Sequence, residues 1–243
     1  MPEESITCAT HIQKIGGTFE NPGGDVERNY NKYDKKSRQT VVRDFFKGEK
    51  RDSVLDLGCS IGAWSEFLKL SGFKKRVGID LSEERLEKAR KREYTEVYLM
   101  SGTDTGFQDE SFDAVICIDV LVHILEKHNQ QKVFQEVERI LRPGGVFVFS
   151  FTSKRYMDSV SFLKSLVGRD SGRVGYCRYD ALEEMKEHSD SAGLKIEKAV
   201  GREYLYLPSL VKYPSFLCCL DILGKTPLKE FGRVIFVKAR KPI

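Results

Sequence analysis

Short apolar runs alternate with amphipathic stretches along the chain, and this alternation predicts its secondary structure. Strands are predicted at residues 53–57, 76–80, 96–100, 112–118, 195–200 and 231–239, with a further strand directly after Arg142-Pro143-Gly144-Gly145. Helices are predicted at 36–47, 62–71, 82–92 and 127–141, and between Asp180 and Gly193, with Ser82 and Asp180 as N-caps. Apolar strands separated by helices are typical of the α/β class, in which helices cover both faces of a parallel sheet.

The bulk composition restricts the protein class. With 243 residues and 40% hydrophobic content, the chain is predicted to form one domain with a full core. A net charge of +4 indicates no particular partner. No apolar run approaches the length of a membrane span, and the N-terminus is too polar for a signal peptide. The six cysteines form no C-x-x-C pair, which predicts reduced thiols, a cytoplasmic location and no metal site.

The stretch S-V-L-D-L-G-C-S-I-G at residues 53–62 carries the strongest chemical signal. A buried strand runs into a turn where Gly58 and Gly62 allow backbone to approach a ligand closely. Asp80 ends the next strand 18 residues after Gly62 (80 − 62), close to the roughly 20 expected for an acid that binds ribose hydroxyls. These features predict a nucleoside site at the ends of two neighbouring strands.

The sequence of the same turn excludes two kinds of nucleotide-binding site. It lacks the G-x-G-x-x-G of dinucleotide sites and the lysine of a P-loop. Its G-x-S-x-G spacing matches the nucleophile elbow of hydrolases, with Ser60 as nucleophile. An elbow normally follows several strands, whereas the residues before this turn read mostly as loop and one helix, so the hydrolase is disfavoured.

Four stretches in order give the chain a family resemblance. V-L-D-L-G-C-S-I-G, V-G-I-D-L-S, F-Q-D-E-S-F-D-A-V-I-C-I-D-V-L-V-H-I and E-R-I-L-R-P-G-G-V-F-V-F-S resemble the class I S-adenosylmethionine-dependent methyltransferases, and most closely their small-molecule, ubiquinone-biosynthesis-like branch. The match runs from about residue 50 to 152 and resumes weakly to the C-terminus. It implies a Rossmann-like, doubly wound, mostly parallel sheet with an antiparallel last strand, and S-adenosyl-L-methionine as the cofactor.

The resemblance also assigns roles within the glycine turn. Gly58, Cys59, Ser60 and Gly62 are expected against the methionine part of the cofactor. Asp56 is expected either to organise the loop or to receive the cofactor's ammonium group indirectly.

Further contacts are implied at the ends of the next strands. Asp80 should accept both ribose hydroxyls, and Leu81 should pack on the adenine. Ile118 and Val120 are candidate contacts near the reacting methyl group. His123 is a candidate general base, and the alternative is a structural histidine at a helix start.

The adenine contact departs from the family pattern. The family usually places an aspartate where this chain has Ser101, and Asp104 lies three residues later. Two alternatives remain open: Asp104 reaches the adenine through a shifted loop, or the backbone amides of Gly102 and Thr103 serve together with Ser101.

The parts outside the motifs are expected to hold the acceptor. The division predicted is an N-terminal cap at 1–50 with Tyr33 over the cofactor, a cofactor-binding core at 51–152, and acceptor-side insertions at 153–178 and 202–227. The predicted reaction is methyl transfer to an oxygen or nitrogen atom of a small-molecule or lipid- or sugar-linked acceptor, with an anionic group favoured by the cations of the predicted loop 151–178. A tRNA-modifying methyltransferase and a cofactor-binding protein without turnover are the alternatives, and nucleic acid is the less favoured partner because the net charge is low.

Overall fold

The computed structural model describes residues 32–166, 177–204 and 223–243, and in them seven strands form one mixed sheet. The strands are β1 (Ser53–Leu57), β2 (Lys75–Asp80), β3 (Glu96–Leu99), β4 (Phe112–Cys117), β5 (Leu141–Thr152), β6 (Lys195–Arg202) and β7 (Val234–Arg240). The helices are α1 (Lys32–Phe45), α2 (Ser65–Leu70), α3 (Glu83–Ala89), α4 (Lys127–Ile140), α5 (Lys154–Leu166) and α6 (Leu182–Ser191). Short 3-10 turns lie at Leu121–His123 and Pro227–Phe231.

The strand order is β3-β2-β1-β4-β5-β7-β6. The first five strands pair in parallel, and β7 runs antiparallel to both β5 and β6. This confirms the α/β, doubly wound sheet with an antiparallel last strand. The order reverses between β1 and β4, and in such sheets the crevice at this reversal is the binding site.

Successive side chains of the central strands point alternately into two hydrophobic layers, one on each face of the sheet. Val54 faces the layer that contains α1 and α2 side chains, whereas Leu55 faces the layer that contains α4 and α6 side chains. All five residues of β1 are buried, as expected for a central parallel strand. The strand ends are therefore held rigidly from both sides. No helix in the described ranges combines the length and the apolarity that a membrane crossing needs.

The prediction that Asp180 caps a helix was wrong. Ala181 is the N-cap residue of α6, and the Glu184 carboxylate accepts its backbone N–H at 3.3 Å. Asp180 is fully buried and instead binds Arg178 and Gln130. Its carboxylate is engaged by these two side chains, so it stabilises the preceding segment rather than the helix end.

The prediction of a loop throughout residues 151–178 was also wrong, because α5 occupies its first half. Tyr156, Met157, Val160 and Ser161 are half-buried and lie on one face at helical spacing. That face packs inward while Lys154 and Arg155 remain exposed.

Candidate active site

The glycine turn lies across the carboxyl end of β2. The backbone N–H groups of Gly58 and Cys59 both donate to the carbonyl oxygen of Ile79, each at 2.8 Å. Gly58 has φ +76°, and a Cβ added there would lie 2.4 Å from a methyl group of Val120. No side chain fits at this position, so backbone forms the floor of the site. The Cys59 side chain is buried beneath the turn.

Asp80 lies beside this turn, half-buried, with its carboxylate held by backbone. One oxygen accepts the N–H of Ser60 at 2.9 Å and the other accepts the N–H of Ser82 at 3.0 Å. Since a carboxylate oxygen can accept two hydrogen bonds, each retains capacity for a ligand hydroxyl. The adjacent Leu81 is 51% exposed and offers an apolar surface. This set of groups fits a ribose diol with a base beside it, as S-adenosylmethionine requires.

Asp56 is 2% exposed at the end of β1, and the Tyr94 hydroxyl donates a hydrogen bond to it. Burial raises the pKa of Asp56 to about 7, the nearby Asp80 charge adds to the rise, and the Tyr94 hydrogen bond opposes it. Tyr94 was missed by the sequence analysis, because it lies in a loop outside every motif.

The loop after β3 is compact. A Cβ on Gly102 would lie 2.7 Å from a methyl group of Leu57, so the backbone passes directly over the end of β1. The Ser101 and Thr103 hydroxyl oxygens are 2.8 Å apart, whereas Asp104 is exposed. The contact to the adenine, through Asp104 or through the Gly102 and Thr103 amides with Ser101, stays a prediction.

A buried carboxylate fixes the same loop to α4. Glu136 accepts the backbone N–H of Thr105 at 2.8 Å and its hydroxyl at 2.6 Å, and Arg139 pairs with it. These bonds lower the pKa of Glu136 to about 2 despite its burial. The loop is therefore anchored to α4 at its C-terminal end, directly after Asp104.

The residues predicted after β4 separate into core and cleft. Ile118 is 7% exposed and packs in the α1–α2 layer, so its side chain belongs to the core. Val120 is half-buried and covers Gly58. His123 ends the 3-10 turn, exposed, and its backbone N–H donates to the Val120 carbonyl at 2.9 Å.

Tyr33 lies in α1, and the predicted contact of its side chain falls outside what the structure describes.

The imidazole of His123 faces charged groups from three elements. Desolvation by the surrounding protein lowers its pKa, Arg85 lowers it further, and Asp119 and Asp80 raise it. The net effect lowers the pKa below its usual value, so His123 is largely neutral at pH 7, and Asp80 is close enough to act on its charge.

The backbone before His123 is held by an ionic chain that the sequence analysis did not find. Asp119 has φ +60°, and its carboxylate binds Arg38, which is 4% exposed. The Arg38 Nε also donates to Glu203 at 2.7 Å, and Arg233 donates to the other Glu203 oxygen at 2.8 Å. This chain, here called the Arg38 cluster (Asp119, Arg38, Glu203 and Arg233), connects α1 to the ends of β4 and β6.

No group of three or more His, Cys, Asp or Glu side chains in the described ranges is arranged to hold a metal ion. The polar groups at the crevice are instead backbone amides, hydroxyls and single carboxylates.

Comparison with known proteins supports the same interpretation. The model of a methyltransferase domain matches residues 55–149. The chain is 37% identical over 110 residues to the putative methyltransferase YqeM of Bacillus subtilis, covering 43% of this chain and 44% of that protein. It is 32% identical over 117 residues to the probable tRNA methyltransferase 9B of Mus musculus, covering 46% of this chain and 25% of that protein. The chain thus spans less than half the length of either relative.

A solved structure shows the same fold over nearly the whole chain. The PH0226 protein of Pyrococcus horikoshii OT3 superposes with a TM-score of 0.61 at 23% identity, covering 89% of this chain and 93% of that one. The matched domain, the sheet order and the groups at the ends of β1 and β2 agree with one another. Residues 55–149 are therefore a methyltransferase domain of the class I, S-adenosylmethionine-dependent type.

Proposed function

We propose that this protein transfers a methyl group from S-adenosylmethionine to an oxygen or nitrogen atom of a small-molecule or lipid- or sugar-linked acceptor. The observation that carries the proposal is the Asp80 carboxylate, oriented by the Ser60 and Ser82 amides beside the glycine turn. The same proposal includes a cytoplasmic location, membership of the ubiquinone-biosynthesis-like branch, and the division of the chain into cap, core and insertions.

Cofactor binding and proton transfer are assigned to different residues. The bound cofactor supplies a methyl group on a sulfonium, which needs alignment more than protein chemistry. Asp80 and the turn at Gly58 fix one end of the site, and Val120 packs against that turn. His123, largely neutral at pH 7, would take the proton of an acceptor hydroxyl or amine.

A cavity of about 350 Å³ is a candidate site for a small acceptor. It lies where the carboxyl end of β5 meets the start of β7, between the start of α5 and the start of α6, and its lining among the described residues includes neither His123 nor a proposed cofactor residue. Lys154 and Arg155 contribute cations to its lining, and Asp158, Glu183 and Glu230 contribute carboxylates. This mixed lining favours an acceptor that has hydrogen-bonding groups of both kinds over one that is only anionic.

The support for an anionic acceptor is weaker than the sequence indicates. Arg178 pairs with the fully buried Asp180 at 2.5 Å and with Glu184 at 3.7 Å, so its charge stabilises the fold. Arg169 and Arg173 lie outside the described residues. Residues 204–224, within the second insertion, are rich in apolar and aromatic side chains, which predicts an apolar part of the acceptor. They lie almost entirely outside the described residues as well, so this part stays a prediction from sequence.

A tRNA substrate is the second candidate, and the similarity to the probable tRNA methyltransferase 9B is the observation that favours it. Labelled methyl transfer into a cell extract, separated into lipid, glycan, RNA and protein fractions, distinguishes the candidates. Label in small molecules, lipid or glycan supports the proposal, and label confined to RNA selects the second candidate. Cofactor binding with no label in any fraction would identify a protein without turnover.

Replacing His123 with alanine is expected to lower kcat roughly 100-fold or more while changing cofactor affinity little, because only proton transfer is lost. Since the base must be neutral, wild-type activity should fall with decreasing pH, with a midpoint below 6.5 because the pKa is lowered. The variant should lose this acid limb, which steady-state kinetics from pH 5 to 8 would measure.

His128→Ala is the matched control, since this histidine is exposed on α4 and belongs to none of the motifs. It should retain wild-type kcat. A His123→Ala protein with lowered melting temperature but unchanged kcat and pH profile would show that the histidine is structural.

A further inference from the structure

We propose that Tyr94 is a positioning residue of the cofactor site, which supports the glycine turn from beneath and holds the Asp56 carboxylate towards the cationic end of the cofactor. The inference rests on the proposed cofactor, and it concerns a residue that lies outside every motif of the chain.

The ring of Tyr94 fills the space under the glycine turn. A Cβ added to Gly62 would lie 3.2 Å from the Tyr94 Cε2 atom, and one added to Gly78 would lie 3.3 Å from it. Gly62 closes the turn and Gly78 lies in β2, opposite Asp56 in the sheet register. The Cβ at Gly62 would lie closer still to the Arg92 Cγ, and the one at Gly78 to the Cys59 Sγ, each at 2.9 Å. Of the side chains at these two glycines, the Tyr94 ring is the one shared by both, so it packs between the turn and the strand that carries Asp80.

The hydroxyl of Tyr94 completes the contact. It donates to one oxygen of Asp56, a carboxylate with only 2% exposure two residues before Gly58. A hydrogen bond to a charged group is among the stronger ones, and it is stronger still away from water. Tyr94 thus fixes both the position of the turn and the orientation of the acid before it.

This arrangement makes the charge of Asp56 depend on Tyr94. The groups that face Asp56 are Tyr94, Asp80, and the thiols of Cys59 and Cys117. Burial raises the pKa of both thiols, so they stay neutral in the physiological range. Burial raises the pKa of Asp56 to about 7, and the Tyr94 hydrogen bond limits this rise. The ionised carboxylate attracts the ammonium group of the cofactor, so affinity should increase as pH rises through 7.

The test measures binding of S-adenosylhomocysteine by calorimetry between pH 6 and pH 8 for wild type and Tyr94→Phe. Removing the hydroxyl should shift the Asp56 titration upward by about one pH unit. The variant should then bind roughly five- to tenfold more weakly at pH 6 to 7 and within about twofold of wild type at pH 8. Recovery at high pH distinguishes this role from general loosening of the turn.

Two further variants keep the result interpretable. Tyr98→Phe is the matched control, because its hydroxyl bonds the surface carboxylate of Glu96, and its profile should equal that of wild type. Asp56→Asn removes the titrating group and leaves Tyr94 unsubstituted. The affinity of this variant for S-adenosylhomocysteine should no longer rise with pH, and this can be measured even if Tyr94→Phe does not fold.

Three outcomes decide the matter. A Tyr94→Phe profile that superimposes on wild type, or that is weakened equally at every pH, overturns the inference but leaves the proposed function intact. An Asp56→Asn profile that keeps the full pH dependence also overturns it. Wild-type protein that binds no S-adenosylhomocysteine at any pH removes the proposed function, and this inference with it.

Discussion

Replacing Asp80 with alanine is expected to weaken binding of S-adenosylhomocysteine by about 3 kcal/mol, which is more than 100-fold in Kd. The carboxylate would contribute two charge-assisted hydrogen bonds to the ribose, each worth about 1.5–3 kcal/mol. The variant also loses the acceptor of the Ser60 and Ser82 amides, so the glycine turn becomes less well ordered. Isothermal titration calorimetry measures the difference directly.

Asp80→Asn should show a smaller loss, because an amide oxygen can still accept one hydrogen bond but carries no charge. Asp52→Ala is the control, since this exposed acid precedes the amino end of β1, away from the site, where it pairs with Lys74. It should bind normally. Unchanged affinity in Asp80→Ala, or comparable binding of NAD by the wild type, would refute the assignment of the ribose site.

Arg38→Met is expected to lower the free energy of unfolding by about 3 kcal/mol, the lower end of the range for breaking a buried ion pair. The change leaves Asp119 and Glu203 without their shared cation. The loss should not reach the upper end, because Glu203 keeps Arg233 and Asp119 is 31% exposed and partly solvated. Urea denaturation followed by circular dichroism measures the change.

Arg43→Met on the same helix is the matched control. Arg43 is exposed and lies over the Phe67 ring at 5.7 Å, a cation–π contact worth about 0.5–1 kcal/mol at the surface. A loss in Arg38→Met no larger than that of Arg43→Met would show that the Arg38 cluster contributes little to stability.

The Arg38 substitution should also be visible in catalysis. Without Arg38, the negative charge of Asp119 is no longer compensated near His123. A carboxylate raises the pKa of a neighbouring imidazole. The acid limb of the pH–activity profile should therefore move to higher pH than in the wild type, which kinetics on the folded variant would detect.

Local sequence determined much of the fold because its signals act over short distances. The apolar run of β1 was predicted with its observed ends, and the Ser82 hydroxyl accepts the Arg85 N–H as an N-cap should. The helix after the glycine turn is shorter than predicted, because Gly62 adopts φ +84° and cannot belong to it. The last strand begins later than predicted because the 3-10 turn at Pro227–Phe231 includes Phe231.

The sequence by itself also determined the cofactor class, since the glycine turn and Asp80 lie at the ends of consecutive strands with standard spacing. Only the tertiary structure decided what supports them. Tyr94 bonds Asp56 across 38 residues, and Arg38 reaches Asp119 across 81 residues and Glu203 across 165. Such pairs have no periodicity that a sequence can display, because they depend on which strand ends the sheet order brings together.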